Sequence, residues 1–155
     1  MAKNKVRALL RRVLHASVSV GGKVVGEIGP GTLVYLGVSC NDFEEDAEWM
    51  IKKLLSIRIF EDGEGKMNLP ISPKESILLV SQFTLFGNVK KGSRPSFNEA
   101  ASGHAAEEIF QSFLAAVRQS FTGNVQSGVF GADMKILAED DGPVTIWLDS
   151  HNKSY

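Results

Sequence analysis

Three hydrogen-bonding side chains follow an apolar run near the middle of the chain. Ile77–Val80 has the composition of a buried strand, and Ser81, Gln82 and Thr84 come directly after it. Leaving a buried hydroxyl or amide unpaired costs about 1–3 kcal/mol. These groups must therefore either satisfy one another and the nearby backbone, or meet a ligand. The composition of this stretch is compatible with both interpretations.

A second stretch, close to the C-terminus, combines a turn with residues typical of a strand. Asp141-Gly142-Pro143-Val144-Thr145 places a Gly-Pro pair before two β-branched residues. An X-Pro bond loses only about 0.5–1 kcal/mol in the cis form. A rigid cis turn would fix two carbonyl groups at little ordering cost on binding. An ordinary trans turn before a strand is the alternative.

The residue types that usually act as general bases or hold metals are dispersed along the chain. His15, His104 and His151 form no HxxxH or HExxH pair, and Cys40 is the single cysteine. Thiolate zinc sites and intramolecular disulfides are therefore excluded. There is also no P-loop, GxGxxG turn or GxSxG elbow. The sequence predicts no metal and no cofactor, and an ordinary hydrolase mechanism would lack an evident general base.

With 43% hydrophobic and 23% charged residues, the composition is that of an ordinary globular protein. The length predicts one domain over residues 1–155. A net charge of −1 provides no global positive field for nucleic acid. One basic strip remains, because the loop Gly87–Pro95 contains Lys90, Lys91 and Arg94. This loop could cover a site, hold a phosphate or simply be solvated. No segment approaches the roughly 20 apolar residues of a membrane span, and the lone cysteine favours a reducing, intracellular setting.

The first half of the chain predicts a hairpin, a central strand and a helix. Gly21-Gly22 between two alternating runs indicates a two-residue hairpin turn. The nearly continuous apolar run Thr32–Ser39 indicates a strand buried on both faces. A helix is expected from Asn41 or Asp42, because apolar residues then recur at helical spacing. The strands expected here are Val6–Val13, Ser17–Val20, Lys23–Ile28 and Thr32–Ser39.

The second half predicts one more main helix among short strands. Ser96 and Glu99 have the spacing of a capping box at a helix start, and Gly103 could interrupt that helix. Asp62-Gly63 indicates a hairpin, and Asn68–Ser76 a loop. The element order predicts an α/β fold with three α/β/β layers, a mixed barrel-like β-sheet and two main helices. The strands expected here are Ile57–Phe60, Ile77–Phe86, Val125–Phe130, Met134–Ala138 and Val144–Leu148.

Taken together, these motifs resemble the D-aminoacyl-tRNA deacylases, also called the D-tyrosyl-tRNA deacylase family. The most specific matches are Ser-Gln-Phe-Thr-Leu at 81–85 and Gly-Pro-Val-Thr at 142–145. The segments RIFEDGEGKMN, KKGSRPSF and GVFGADM accompany them in family order. The resemblance extends over essentially the whole chain, from Arg12-Val13 to the Trp147–Ser150 segment.

The resemblance implies a cytoplasmic homodimer that hydrolyses the ester joining a D-amino acid, or glycine, to the 3′ adenosine of tRNA. Such an activity keeps D-residues out of translation. It implies catalytic roles for Ser81, Gln82 and Thr84, with Phe83 in the same substrate pocket. The 2′-hydroxyl of the RNA is expected to assist the reaction, which fits a sequence without an evident protein base. A role for Thr84 as the nucleophile is the competing view.

The resemblance also implies that the active site lies at the subunit interface. Gly142 and Pro143, joined by a cis peptide and followed by Val144 and Thr145, would enter the partner's pocket and bind the substrate's amino group. An L side chain would collide with their carbonyls. Arg12 matches a family arginine that helps to hold the pair.

Two residues depart from the family pattern beside these positions. Asp140 replaces a frequent asparagine, and Arg11 replaces a frequent glutamine. The change at Asp140 puts the supporting hydrogen bonds of the turn in question. A non-catalytic RNA-binding or editing-like module is the alternative function, because the family fold also occurs as an appended editing domain. A purely structural dimerisation domain is a third interpretation.

Overall fold

The computed structural model describes residues 6–39 and 44–154. The elements before the middle of the chain are strands β1 (Val6–Val20), β2 (Lys23–Ile28) and β3 (Gly31–Val38), helix α1 (Glu44–Ser56), and strands β4 (Phe60–Glu61) and β5 (Met67–Leu69). Strand β6 (Ser76–Ser81), a 3-10 helix (Phe83–Phe86), helix α2 (Gly103–Ser120), and strands β7 (Asn124–Ser127) and β8 (Met134–Asp149) follow. The predicted hairpin turn is confirmed, with Gly21 and Gly22 at φ 57° and 79°.

The main sheet is mixed and strongly curled. Its strand order is β2-β1-β3-β6-β7, with β8 paired to β1 as well. Strand β1 is antiparallel to its three neighbours, whereas β3–β6 and β6–β7 are parallel. The two ends of the sheet approach each other closely: a Cβ added at Gly26 of β2 would lie 2.7 Å from the Ser127 carbonyl oxygen of β7. The predicted mixed, barrel-like α/β fold is confirmed.

Side chains of the central strands alternate between two apolar cores. Val34 and Leu36 of β3 join a core with residues of both helices, including Met50 and Phe110. Leu33, one position away, joins a second core formed by strand residues alone. Because successive side chains of a strand point to opposite faces, β3 is buried on both sides. The helices therefore cover one face of the sheet, and the curled strands enclose the other.

The strand predicted at Ile57–Phe60 is wrong for most of its length, since pairing begins only at Phe60 and involves Phe60–Glu61 with Met67–Leu69. In this segment a side chain, and not a neighbouring strand, hydrogen-bonds the backbone. The Ile59 carbonyl accepts a bond of 2.6 Å from Arg12. The Asp62 hairpin is confirmed, and its carboxylate accepts backbone N–H groups that lower the pKa of Asp62.

The start predicted for the second main helix at Ser96 is also wrong. Ser96 exchanges two backbone hydrogen bonds of 2.8 Å with Asn88, and α2 begins only at Gly103, which has φ 65°. The capping-box spacing does not start a helix here, because the backbone of Ser96 is already paired with that of Asn88, eight residues earlier. The start expected for the first helix at Asn41 or Asp42 lies outside the described residues.

The strands predicted at Met134–Ala138 and Val144–Leu148 are one continuous strand, β8. The two predicted strands Val6–Val13 and Ser17–Val20 are likewise one strand, β1. The two long strands pair from Val20↔Met134 to Arg7↔Asp149. Register shifts between Arg11 and His15 accommodate the Asp140–Pro143 segment without ending the strand. Strand β7 ends at Ser127, three residues before the predicted Phe130.

Candidate active site

The first predicted site segment begins where β6 ends. Ser81 is paired with Leu36 of β3, and the Gln82 N–H donates to the Leu36 carbonyl at 2.7 Å. The chain then turns into the 3-10 helix, so the expected continuation of the strand to Phe86 is wrong. Within this turn the Gly87 N–H donates to the Thr84 carbonyl at 3.0 Å. The turn keeps Ser81, Gln82 and Thr84 close together at one edge of the sheet.

The polar side chains of this segment satisfy one another in part. The Gln82 side-chain amide donates a hydrogen bond to the Thr84 hydroxyl. Ser81 and Gln82 are half-buried, whereas Thr84 is exposed. In the described part of the chain, neither a histidine nor a carboxylate hydrogen-bonds Thr84. The arrangement can position a polar group of a ligand, but it supplies no protein base to activate the threonine.

A cavity of about 330 Å³ adjoins Ser81, Gln82 and Phe83. Its lining is mostly apolar, with Ser81, Gln82 and Ser102 as the polar side chains. Phe83 is 54% exposed, and its ring packs edge-on against Phe97 with centroids 5.0 Å apart. Apolar walls with a few convergent polar groups are typical of small-molecule sites. An aromatic base can stack on exposed rings, and a ribose can use the polar edge. Other lining residues are Ala101, Gly103, Ala106, Phe110 and Phe130.

The second predicted site segment lies within β8, opposite the register shifts between Arg11 and His15 of β1. Gly142 and Pro143 are exposed, and the peptide bond between them is cis. Gly142 has φ 122°, and a Cβ added there would lie 2.9 Å from a methyl group of Val144 and 3.2 Å from the Arg12 guanidinium. Only glycine fits without movement of its neighbours. Val144 is half-buried against the helix-side core, whereas Thr145 is exposed.

Arg12 is the main anchor of this segment. It is only 6% exposed and lies on β1, far from the turn in sequence. Its guanidinium donates to the Asp141 carbonyl at 3.2 Å and to the Ile59 carbonyl at 2.6 Å. An ion pair of 3.3 Å to the Asp141 carboxylate adds to these bonds. Arg12 therefore ties the residue before Gly142 to the interior of the protein.

The two departures from the family pattern contact each other. Arg11 makes two hydrogen bonds of 2.9 Å, one to each carboxylate oxygen of Asp140. The bond to Asp140 raises the pKa of Arg11, and the bond to Arg11 lowers the pKa of Asp140. In the sequence alone, the two residues look like separate departures and not like a pair. Its signal is two opposite charges placed on neighbouring strands by the pairing of β1 with β8.

The described chain keeps the two site segments apart. Ser81 pairs with Leu36, whereas Arg12 beside the Gly-Pro turn pairs with Thr32 on the same strand. Four residues along β3 correspond to roughly 13 Å, before the spacing between strands is added. Gly142 and Pro143 are not among the described residues that line the cavity. The structure thus brings Arg12 to the turn but does not bring the turn to Ser81, Gln82 and Thr84 of the same chain.

Residues 6–39 and 44–154 contain neither a group of metal ligands nor a membrane-spanning helix. In these ranges, no three side chains of His, Cys, Asp or Glu are grouped so that they could hold a metal ion. Neither described helix is long and apolar enough to cross a membrane. Independence from metals remains a prediction.

Residues 9–149 match the family model described as D-Tyr-tRNA(Tyr) deacylase. The D-aminoacyl-tRNA deacylase of Thermosipho melanesiensis is 47% identical over 94% of this chain and 97% of its own length. That of Kosmotoga olearia is 48% identical over 96% of this chain and 99% of its own length.

Two solved structures share the fold. One, titled c-Myc DNA Unwinding Element Binding Protein, has a TM-score of 0.86 and 41% identity, covering 92% of this chain and 97% of that chain. Another, titled a probable eukaryotic D-amino acid tRNA deacylase, has a TM-score of 0.73 and 25% identity, covering 94% of this chain and 99% of that chain.

The fold and these matches define a class of hydrolases that act on aminoacyl-tRNA. The chain belongs to the D-aminoacyl-tRNA deacylase family. The resemblance inferred from the SQFTL and GPVT motifs is confirmed.

Proposed function

We propose that this protein hydrolyses the ester bond of D-aminoacyl-tRNA and of Gly-tRNA, and that it rejects L-aminoacyl-tRNA. Water is consumed, the ester bond is broken, and a free amino acid and a tRNA with its 3′-terminal hydroxyls restored are released. The observation that carries the proposal is an apolar cavity lined by Ser81 and Gln82, with Thr84 hydrogen-bonded to Gln82, in a chain of this family. The activity serves quality control in translation, and we expect it in the cytoplasm, where charged tRNA is used.

In this proposal the terminal adenosine occupies the cavity beside Phe83. The base stacks on the exposed ring, and the ester lies near the polar edge formed by Ser81, Gln82 and Thr84. The 2′-hydroxyl of the RNA assists the attack of water, while the protein groups position the ester. The lack of a histidine or carboxylate bonded to Thr84 in the described structure supports this division of roles.

We propose that Gly142 and Pro143 of a second subunit complete the site. The separation of the turn from Ser81 within one chain supports a homodimer with its active sites at the subunit interface. Their carbonyls would accept hydrogen bonds from the substrate's amino group, with Val144, Thr145 and Arg12 holding the turn. A D side chain would point to solvent, an L side chain would meet the carbonyls, and glycine would pass. Such exclusion by clash gives chiral specificity without a pocket for any particular side chain.

Hydrolysis of D-Tyr-tRNA, L-Tyr-tRNA and Gly-tRNA by the purified protein tests the proposal. We expect release of D-tyrosine and glycine, with little release of L-tyrosine. We also expect that chelation of the protein causes no loss of activity, with magnesium supplied only to fold the tRNA. Similar rates for the D and L esters would contradict the chiral part. Binding of tRNA without any hydrolysis would favour the non-catalytic module instead. Sedimentation that shows a fully active monomer would contradict the shared site.

A further inference from the structure

The loop that leads from the 3-10 helix to Phe97 is anchored to the candidate site at both ends. At its first end, the Gly87 N–H donates to the Thr84 carbonyl at 3.0 Å. At its second end, the Phe97 ring packs on Phe83 with centroids 5.0 Å apart. The two backbone bonds between Asn88 and Ser96 close its base. Residues 89–95 therefore lie in a loop whose two ends adjoin Phe83 and Phe97, which line the cavity.

This loop carries unneutralised positive charge. Lys90, Lys91 and Arg94 are exposed, and residues 87–95 contain no acid. Across the described ranges, none of these three side chains has a carboxylate within ion-pair distance, whereas Arg7, Arg11 and Arg12 are each paired with an aspartate. The net charge of the protein is −1, so this cluster is a local basic feature at one place on the surface.

We propose that Lys90, Lys91 and Arg94 bind the phosphates of the RNA strand whose 3′ end occupies the cavity. The inference rests on the proposed function and adds the surface that receives the body of the tRNA. An RNA strand that leaves the cavity beside Phe83 passes the loop that starts at Gly87 and ends at Ser96. Phosphate contacts of this kind fix the position of a nucleic acid without reading its sequence. The loop therefore supplies affinity for any tRNA, while the cavity and the Gly-Pro turn act on the charged end.

One acidic residue, Glu99, lies close to this basic loop and provides a further test of phosphate binding. Glu99 lines a shallow groove together with Lys90, Arg7 and Phe86. A phosphate near Lys90 would be repelled by the Glu99 carboxylate. Glu99→Gln should therefore strengthen tRNA binding modestly, whereas it should weaken binding of a basic ligand.

The test compares two substrates and two variants. The substrates are D-Tyr-tRNA and 3′-O-D-tyrosyl-adenosine, which has no phosphates. The test variant is Lys90→Ala/Lys91→Ala/Arg94→Ala, and the matched control is Lys52→Ala/Lys53→Ala, which removes exposed charges from α1. Rates are measured between 50 and 200 mM salt, and binding of uncharged tRNA is measured by fluorescence anisotropy.

We expect the loop variant to lower kcat/KM for D-Tyr-tRNA by tenfold or more at 50 mM salt and to leave the adenosine ester within twofold. Three lost phosphate contacts should reduce the slope of log kcat/KM against log salt by about 2. The control variant should match the wild type on both substrates.

An unchanged salt slope, or an equal loss on both substrates, would overturn the inference. If the wild type hydrolyses neither substrate, the proposed function fails, and the anisotropy measurement still decides the inference. Weaker tRNA binding by the loop variant alone would then support it. Unchanged tRNA binding would overturn it and would leave an acidic protein surface as the partner to examine.

Discussion

The two site segments are stabilised in different ways. The segment from Ser81 to Thr84 is held mainly by its backbone, through the pairing of Ser81 and Gln82 with Leu36 and a turn of a few residues, with one hydrogen bond between neighbouring side chains. The segment around Gly142 is held from far away in sequence, by Arg11 and Arg12 on β1. A segment held by its backbone tolerates loss of one side chain, because its backbone bonds remain. A segment held by distant arginines loses its position when one of them is replaced.

The largest effect on this comparison is expected from Arg12→Met. The change removes hydrogen bonds from a charged donor to the carbonyls of Ile59 and Asp141, and such bonds contribute about 1.5–3 kcal/mol each. We expect the free energy of unfolding to fall by about 3 kcal/mol or more, the sum of two such bonds at the lower figure, and discrimination against L-Tyr-tRNA to weaken. Urea unfolding and the ratio of D to L rates measure the two effects.

Arg58→Met is the matched control for Arg12→Met. Arg58 also donates to a backbone carbonyl, that of Asn68 at 2.7 Å, but its side chain is exposed. Its replacement should change the free energy of unfolding and the ratio of D to L rates much less. Equal losses from the two variants would show that the burial of Arg12 is unimportant.

Gly142→Ala should have the next largest effect. Alanine at φ 122° is strained, and its Cβ would meet Val144 and Arg12. We expect a loss of about 1–3 kcal/mol in stability, together with a lower D to L rate ratio. Gly22→Ala is the control, because Gly22 also has positive φ but no atom within 4 Å of an added Cβ. If Gly142→Ala kept the full D to L rate ratio, the turn would not be the feature that excludes L-aminoacyl-tRNA.

Thr84→Ala tests the segment that is held by its backbone. The Thr84 hydroxyl is exposed and has no base bonded to it in the described structure, so a positioning role predicts that more than a tenth of the wild-type rate remains. A substrate with a 2′-deoxy terminal adenosine should instead lose nearly all activity. A dead threonine variant that coexists with normal turnover of the deoxy substrate would establish the opposite mechanism.

The smallest effect is expected from the pair of Arg11 and Asp140. Both side chains are partly exposed, and surface pairs contribute about 0.2–1 kcal/mol. Because the pKa of Asp140 is lowered in the folded protein, the pair's contribution is complete above the pKa of the unfolded chain and is lost as pH falls through the folded value. Its contribution should therefore be constant near neutral pH and disappear in acid.

A double-mutant cycle of Arg11→Gln and Asp140→Asn, measured by unfolding at pH 7 and pH 3, checks this expectation. The coupling should be present at pH 7 and smaller at pH 3. A coupling that does not change between these values would contradict the assignment of the pair.

Much of the fold was predictable from sequence, because alternation and helical spacing are local signals. The hairpin at Gly21-Gly22, the doubly buried strand β3 and the helical spacing of α2 followed directly from them. The errors arose where groups outside the segment itself decided the outcome. Arg12 engages the Ile59 carbonyl, and Asn88 engages Ser96, so neither segment formed the element that its own residues favour.

The candidate site shows the same limit. Ser81, Gln82 and Thr84 could be located from sequence, because an apolar strand that ends in polar residues is visible in one stretch. The bidentate contact of Arg11 with Asp140 depends on the pairing of β1 with β8, and no local pattern encodes that register. Each charge looked like a departure when read alone, and together they form a supporting contact.

The pairing of the first strand with the last also concerns synthesis of the protein. The Val6 N–H donates to the Ser150 hydroxyl at 2.9 Å, and the Ser150 N–H donates to the Val6 carbonyl at 3.0 Å. A ribosome releases Val6 long before it adds Ser150, so one edge of β1 waits without its partner for most of translation. Contacts between residues so distant in sequence form late and slow folding. The last strand that pairs with β1 is thus added only when synthesis of the chain is nearly complete, in an enzyme that we propose to act in quality control of translation.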